Sequence, residues 1–196
     1  MKSIRHLCKN TAHLVQGEHM RIARLAFVFL LLMGVAWAQR EDDAFIGQKA
    51  PEIKADHIWI NTAPLKLESL KGKVVLLDFW AFDCPNCAEA MPHILDLQQK
   101  YAKDGLVIIG VHTPRIDYEK DVAKIREAVK KKQIQYPVVV DNKYDIWSDY
   151  ACDAWPEVFV IDQEGTIRLS HTGVGRYDDI EKVVQKLLAK KGASHK

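Results

Sequence analysis

The sequence is short of net charge, of cysteine and of long apolar runs. A formal charge of +2 over 196 residues is not the basic excess that nucleic acid demands. Four cysteines are too few for a disulfide scaffold. The longest apolar run, residues 25–38, has 14 residues, where a membrane-spanning helix needs about 20. No internal repeat and no low-complexity linker interrupts the chain. What is present is a hydrophobic share of 48% and a charged share of 28%, the profile of a foldable globular chain of one domain or two small ones.

The charge is unevenly placed. Residues 1–38 hold Lys2, Arg5, Lys9, Arg21 and Arg24 against Glu18, an excess of +4 that leaves −2 for the rest. The apolar run follows Arg21 and Arg24, ends in Ala36-Trp37-Ala38 and gives way to a polar stretch from Gln39. A basic start, a short apolar core and an A-x-A exit are the parts of a cleavable secretory signal. The polar residues 1–19 look unlike the start of a signal, which makes Met20 the expected start of translation. Cys8 would then fall outside the protein. The mature chain would begin near Gln39, with 158 residues and three cysteines, in an oxidising space such as a periplasm. An uncleaved anchor is the alternative.

The remainder reads as one α/β domain. Residues 53–60 and 65–67 are expected as short strands of an N-terminal hairpin around a turn at 61–64. Residues 74–80, VVLLDFW, form a continuous apolar run typical of a central buried strand. A helix over 85–102, a second buried strand over 106–111 and an amphipathic helix over 118–132 follow. A strand at 136–141 and a short helix at 144–150 come next. Strands 157–161 and 166–172 share a hairpin turn, and a helix over 178–189 closes the domain. This order predicts a central mixed sheet with helices on both faces.

The chemistry lies in Cys84-Pro85-Asn86-Cys87. A C-x-x-C at the junction of a buried strand and a helix is a redox signature. The helix start leaves amide N–H groups unpaired and carries partial positive charge, and both favour a thiolate at Cys84. Lowering a thiol pKa from about 8.5 to about 7 takes roughly 2 kcal/mol, which a partly buried helix terminus can supply. Cys84, at the outer end, is the candidate attacking sulfur. Cys87, one turn inside, is the candidate resolving sulfur. Pro85 sits in the first turn, where its missing N–H costs little. Asp83 acts in the opposite sense, because a negative neighbour raises a thiol pKa. A zinc site would need more ligands than Cys152 and scattered histidines offer. A purely structural staple would constrain little chain entropy across one turn.

The stretch DFWAFDCPNC resembles the active-site segment of thioredoxin-fold proteins. Asp78 lies six residues before Cys84, at the place of the buried aspartate of that fold. Pro92 lies eight residues after it, at the place of the helix-kinking proline, and Trp155-Pro156 matches the cis-proline loop. The resemblance covers about residues 44–189 and makes 39–196 a thioredoxin-like domain. The N-terminal hairpin and an extra β-α segment over 106–140 resemble the TlpA/ResA-type periplasmic branch. The wording from LKGKVVLLDFW through GVHTP to WP is most similar to the DipZ-type thioredoxin-like domain. The resemblance implies proton relay between Asp78 and Cys87. It also implies a cis Pro156 whose loop pairs with substrate backbone, and an apolar substrate-binding patch from Phe82 and Trp155. It implies protein dithiols or disulfides as substrates, no cofactor, and a reductant fed by a membrane thiol–disulfide carrier. Cytochrome c maturation is one task of that branch, but no residue here selects it. The chain departs from the thioredoxin pattern at Asp83, where Trp is usual, and at bulky Trp155, where a small aliphatic is usual.

Competing readings stay open. A Sco-like copper-binding assembly protein would use both cysteines and a histidine, for which His112 is the candidate; Cu(I) accepts soft thiolates. A peroxidase of the peroxiredoxin kind needs Thr or Ser at position 81, which is Ala81. His112 and Arg115 follow a strand end, where open α/β sheets place functional groups. Cys152, four residues before Pro156, is either a third thiol or a small buried apolar residue.

Overall fold

The computed structural model describes residues 45–54 and 56–191. The signal segment, Met20 and Cys8 lie outside the described residues. Among the described residues, six strands form one sheet: β1 Ile58–Ile60, β2 Val74–Trp80, β3 Leu106–His112, β4 Val138–Val140, β5 Glu157–Ile161 and β6 Ile167–Thr172. Their order across the sheet is β1-β4-β3-β2-β5-β6. The β2–β3 and β3–β4 pairs are parallel, and the other pairs are antiparallel, so the sheet is mixed. The α-helices are α1 Pro85–Tyr101, α2 Val122–Lys131, α3 Asp145–Asp149 and α4 Tyr177–Lys191. No helix among the described residues is long and apolar enough to cross a membrane.

Every residue of β2 is buried, which explains why the strand is apolar at every position except Asp78. Its side chains alternate between two cores. Val74, Leu76 and Trp80 face one core, with Met91, Ile94 and Leu97 of α1, Ile125 and Val129 of α2, and Ile180, Val184 and Leu187 of α4. Fully burying each such aliphatic side chain stabilises the fold by roughly 1.5–3 kcal/mol. Val75, Leu77 and Phe79 face the second core, with Ile53, Ile146, Tyr150, Phe159 and Ile161. The sheet therefore has helices on both faces, unequally shared. The longer α1, α2 and α4 cover one face, while α3 and the turn at Leu67–Leu70 cover the other.

Among the described residues the expected N-terminal hairpin does not form. Only Ile58–Ile60 of the first expected strand is extended, and it pairs antiparallel with β4. Leu67–Leu70 is a single 3-10 turn. Two side chains account for this. Asn61, at φ 68°, donates from Nδ2 to the carbonyls of Ile134 and Tyr136, tying the end of β1 to the approach to β4. Glu52 accepts the N–H groups of Leu67 and Glu68, which starts the 3-10 turn where a strand was expected. The expected helix at 118–132 also divides. Asp121 accepts from the N–H groups of Ala123 and Lys124 and so caps α2, leaving Asp117–Lys120 as a separate 3-10 turn. The β5–β6 hairpin forms as expected. Its turn is held by Asp162, which accepts from Glu164 and Thr166, and by Gly165 at φ 78°.

Candidate active site

The cysteine pair sits where buried β2 ends and α1 begins. Cys84 is the N-cap of α1, with φ −87° and ψ 117°, and Pro85 occupies the first helical position. Cys84 and Cys87 are joined as a disulfide with a Cα–Cα distance of 5.2 Å. The Cys87 N–H donates to Cys84 Sγ at 3.2 Å, so the outer sulfur takes one of the amides that the helix leaves unpaired. Cys84 is 4% exposed and Cys87 2%, so both cysteines are buried at the helix start.

Asp78 lies on β2 and is buried. Its carboxylate Oδ2 is 3.4 Å from the hydroxyl of Tyr136, which also lies 3.3 Å from Met91 Sδ, one helical turn beyond Cys87. Burial pushes the Asp78 pKa up from 3.8 to about 7, and the Tyr136 hydrogen bond offsets only part of that rise. Gly110 makes room for this contact. It stands opposite Asp78 in the β2–β3 register, and a Cβ there would come within 3.0 Å of Tyr136 and of the Trp80 indole nitrogen. A side chain at position 110 would force Tyr136 or Trp80 to give by a few tenths of an ångström.

The loop before Cys84 is held by the last residue of β3 and by residues that follow it. The Phe82 N–H donates to His112 Nε2 at 3.2 Å, and the two rings stack at 5.6 Å. His112 is fully buried, and burial pulls its pKa down to about 4, so it is neutral with its proton on Nδ1. Buried Glu119 accepts the Asp83 N–H, and Arg115 donates to the Asp83 carbonyl. A groove of about 520 Å³ opens beside this loop, lined by Phe82, Asp83, Tyr118, Lys124 and Lys131.

The Trp155–Pro156 peptide bond is cis. Trp155 stacks on Trp147 at 4.0 Å and donates from Nε1 to the Thr113 carbonyl, which fixes its ring. Phe82 and Trp155 are both partly buried against the core that contains the two cysteines. Cys152 is a free, buried thiol. Burial, then the charge of Glu157 and a hydrogen bond to it, push its pKa well above the ordinary thiol range. Burial also raises Glu157 to about 7, against the Cys152 hydrogen bond that lowers it.

Among the described residues no group of three or more His, Cys, Asp or Glu side chains could hold a metal ion. His112, the histidine a copper site would need, already uses Nε2 to accept the Phe82 N–H. Sequence reasoning missed Tyr136, Glu119 and Glu157. Glu157 had a signal, since a carboxylate heading the apolar EVFVI parallels Asp78 in VVLLDFW. Tyr136 and Glu119 had none, because both reach the site through the tertiary fold.

The AhpC/TSA family matches residues 46–170. The chain belongs to that family. Within it, the domain groups with thioredoxin-like thiol–disulfide oxidoreductases. It is 42% identical over 142 residues to the protein DipZ of Mycobacterium bovis, covering 71% of this chain and 20% of that protein. It is 30% identical over 142 residues to the thiol-disulfide oxidoreductase YkuV of Bacillus subtilis, covering 72% of this chain and 95% of that one. The solution structure of a thioredoxin-like protein in the oxidised form superposes with a TM-score of 0.66 at 31% identity, over 73% of this chain and 96% of that chain. The chain thus spans about one fifth of the length of the DipZ proteins it matches. The described domain shares the fold of that thioredoxin-like structure, and Cys84 and Cys87 lie at the strand–helix junction where the sequence places them.

Proposed function

We propose that the protein is an extracytoplasmic thiol–disulfide oxidoreductase that reduces protein disulfides and is itself re-reduced by a membrane thiol–disulfide carrier. The observation that carries the chemistry is the Cys84–Cys87 disulfide at the start of α1, with Cys84 Sγ on the Cys87 N–H. The reductant direction follows the resemblance to the TlpA/ResA branch. The location follows the basic, apolar and A-x-A pattern of residues 20–38.

In the reduced protein the Cys84 thiolate attacks one sulfur of a substrate disulfide. A mixed disulfide forms and the substrate's other sulfur leaves as a thiolate. Cys87 then loses its proton and attacks Cys84 Sγ. This releases the second substrate thiolate and closes the Cys84–Cys87 disulfide. Two electrons have passed to the substrate, and a donor dithiol returns them. Asp78, with a pKa raised to about 7, is the group suited to take the Cys87 proton near neutral pH. The cis-Pro156 loop would receive substrate backbone as an added strand. The Pro156 carbonyl accepts the Gly173 N–H at 2.7 Å, which ties this loop to the end of β6. Phe82 and Trp155 supply the apolar contact beside the sulfurs.

The reduction potential of the pair, set against glutathione or dithiothreitol mixtures with Cys152→Ser in place, tests this reading. A value near about −270 mV supports a reductant, and one near about −120 mV replaces it with an oxidant of exported thiols. A value below about −300 mV with slow exchange would make the pair a staple and remove the activity.

A further inference from the structure

The loop that presents Cys84 is gripped by one downstream segment. Three main-chain groups of Phe82 and Asp83 are engaged: the Phe82 N–H by His112, the Asp83 N–H by Glu119 and the Asp83 carbonyl by Arg115. Glu119 is fully buried. Its Oε1 accepts the Asp83 N–H at 3.1 Å and its Oε2 accepts the Arg115 N–H at 2.6 Å. Arg115 Nη1 then donates to the Asp83 carbonyl at 3.1 Å. Glu119, Arg115 and Asp83 form a closed ring on the main chain of Asp83, the residue that precedes Cys84. A buried carboxylate is seldom retained without full pairing, and here both oxygens are spent on this one loop and its anchor. The loop leads directly into Cys84, which is extended at the N-cap and whose Sγ accepts the Cys87 N–H within the disulfide.

We propose that Glu119 and Arg115 are positioning residues for the redox pair: their ring with Asp83 holds Cys84 on the helix amide and so sets how far α1 stabilises its thiolate. The proposal rests on Cys84 being the attacking sulfur. Its physics has a sign that a simple charge effect does not share. Glu119 is an acidic group near the cysteine loop, so removing its charge alone would favour the thiolate and lower the Cys84 pKa. Releasing the loop instead weakens the contact with the helix amide and raises that pKa.

The test is an ultraviolet thiolate titration of the full chain carrying Cys8→Ser, Cys87→Ala and Cys152→Ser, with and without Glu119→Gln. Positioning predicts an upward shift of about half a unit or more at Cys84, the scale of a helix-terminus effect. A downward shift or no shift overturns it. Arg115→Gln is the second variant, because the Arg115 side chain is exposed and its loss leaves the core intact. Its upward shift should persist in about 1 M salt, where charges are screened beyond about 3 Å. A shift that disappears in that salt makes Arg115 a charge only and overturns its part of the ring. Iodoacetamide labelling of the reduced parent chain checks the underlying reading separately. Label arriving first on Cys87 sinks the assignment of Cys84, whatever Glu119 does.

Discussion

Cys84 and Cys152 are buried to nearly the same degree, at 4% and 7% exposure, yet their surroundings are opposite. Cys84 caps a 17-residue helix and takes a backbone N–H on its sulfur. Cys152 sits in the apolar core with Phe79, Tyr150 and Phe159, where its polar neighbour is the Glu157 carboxyl. One setting favours the charged sulfur and the other opposes it. Exposure alone would not separate the two cysteines. The sign of the local field does.

The largest test of that contrast is a pair of serine substitutions. Cys84→Ser should reduce disulfide reduction to the background of free thiol. Cys152→Ser should leave it within about twofold, since a buried neutral thiol behaves as a small apolar group. Equal losses in an insulin reduction assay would break the comparison. Alkylation rates are the next test. At pH 7 the reduced protein should take up iodoacetamide at Cys84 and leave Cys152 unlabelled until it is unfolded, as mass mapping with and without denaturant would report.

Asp78 sharpens the contrast between buried groups that carry chemistry and those that only pack. The folded protein keeps a proton on Asp78 up to about pH 7, while the unfolded chain releases it near 3.8. The folded state therefore binds more protons between these values, and stability falls as pH rises from about 4 through 7. The three-unit difference corresponds to about 4 kcal/mol at full ionisation. Asp78→Asn should thus raise stability at pH 8 by about 2–4 kcal/mol, little of which remains at pH 4. It should also slow resolution, so that the mixed disulfide on Cys84 accumulates. Urea unfolding at both pH values and trapping of the intermediate are the measurements. Faster resolution, or a gain independent of pH, would remove Asp78 from the proton path.

Glu157→Gln separates charge from burial at Cys152. Burial is the larger cause of the raised thiol pKa there, so labelling in the folded protein should rise by no more than about tenfold. Asp121→Ala is the smallest effect. It removes the cap of α2, far from either sulfur in function, and should cost about 1 kcal/mol with no change in redox potential.

Much of the architecture was legible because single residue types dictate it. Seven apolar-flanked residues of β2 announce a doubly buried strand, and a cysteine followed by proline announces a helix start. The cis bond at Trp155-Pro156 was legible only through the resemblance to thioredoxin-fold proteins, and the structure has it. The hairpin expected at residues 53–67 failed because a short apolar stretch does not name its partner. Val138–Val140 offered an edge, and Asn61 tied the chain to it.

The amino-acid sequence by itself determined the place of the Cys84–Cys87 pair at a helix start, the aspartate within the central strand and the order of the main elements. These depend on local spacing and on runs of one residue type. Only the tertiary structure decided that Tyr136 reaches Asp78 across Gly110 and that Glu119 and Arg115 close on the peptide before Cys84. It also decided that Glu157 stands behind Cys152. Those contacts join residues 32 to 58 positions apart for the Cys84 and Asp78 groups, and their partners are chosen by the sheet register and the loop path, which no local pattern encodes.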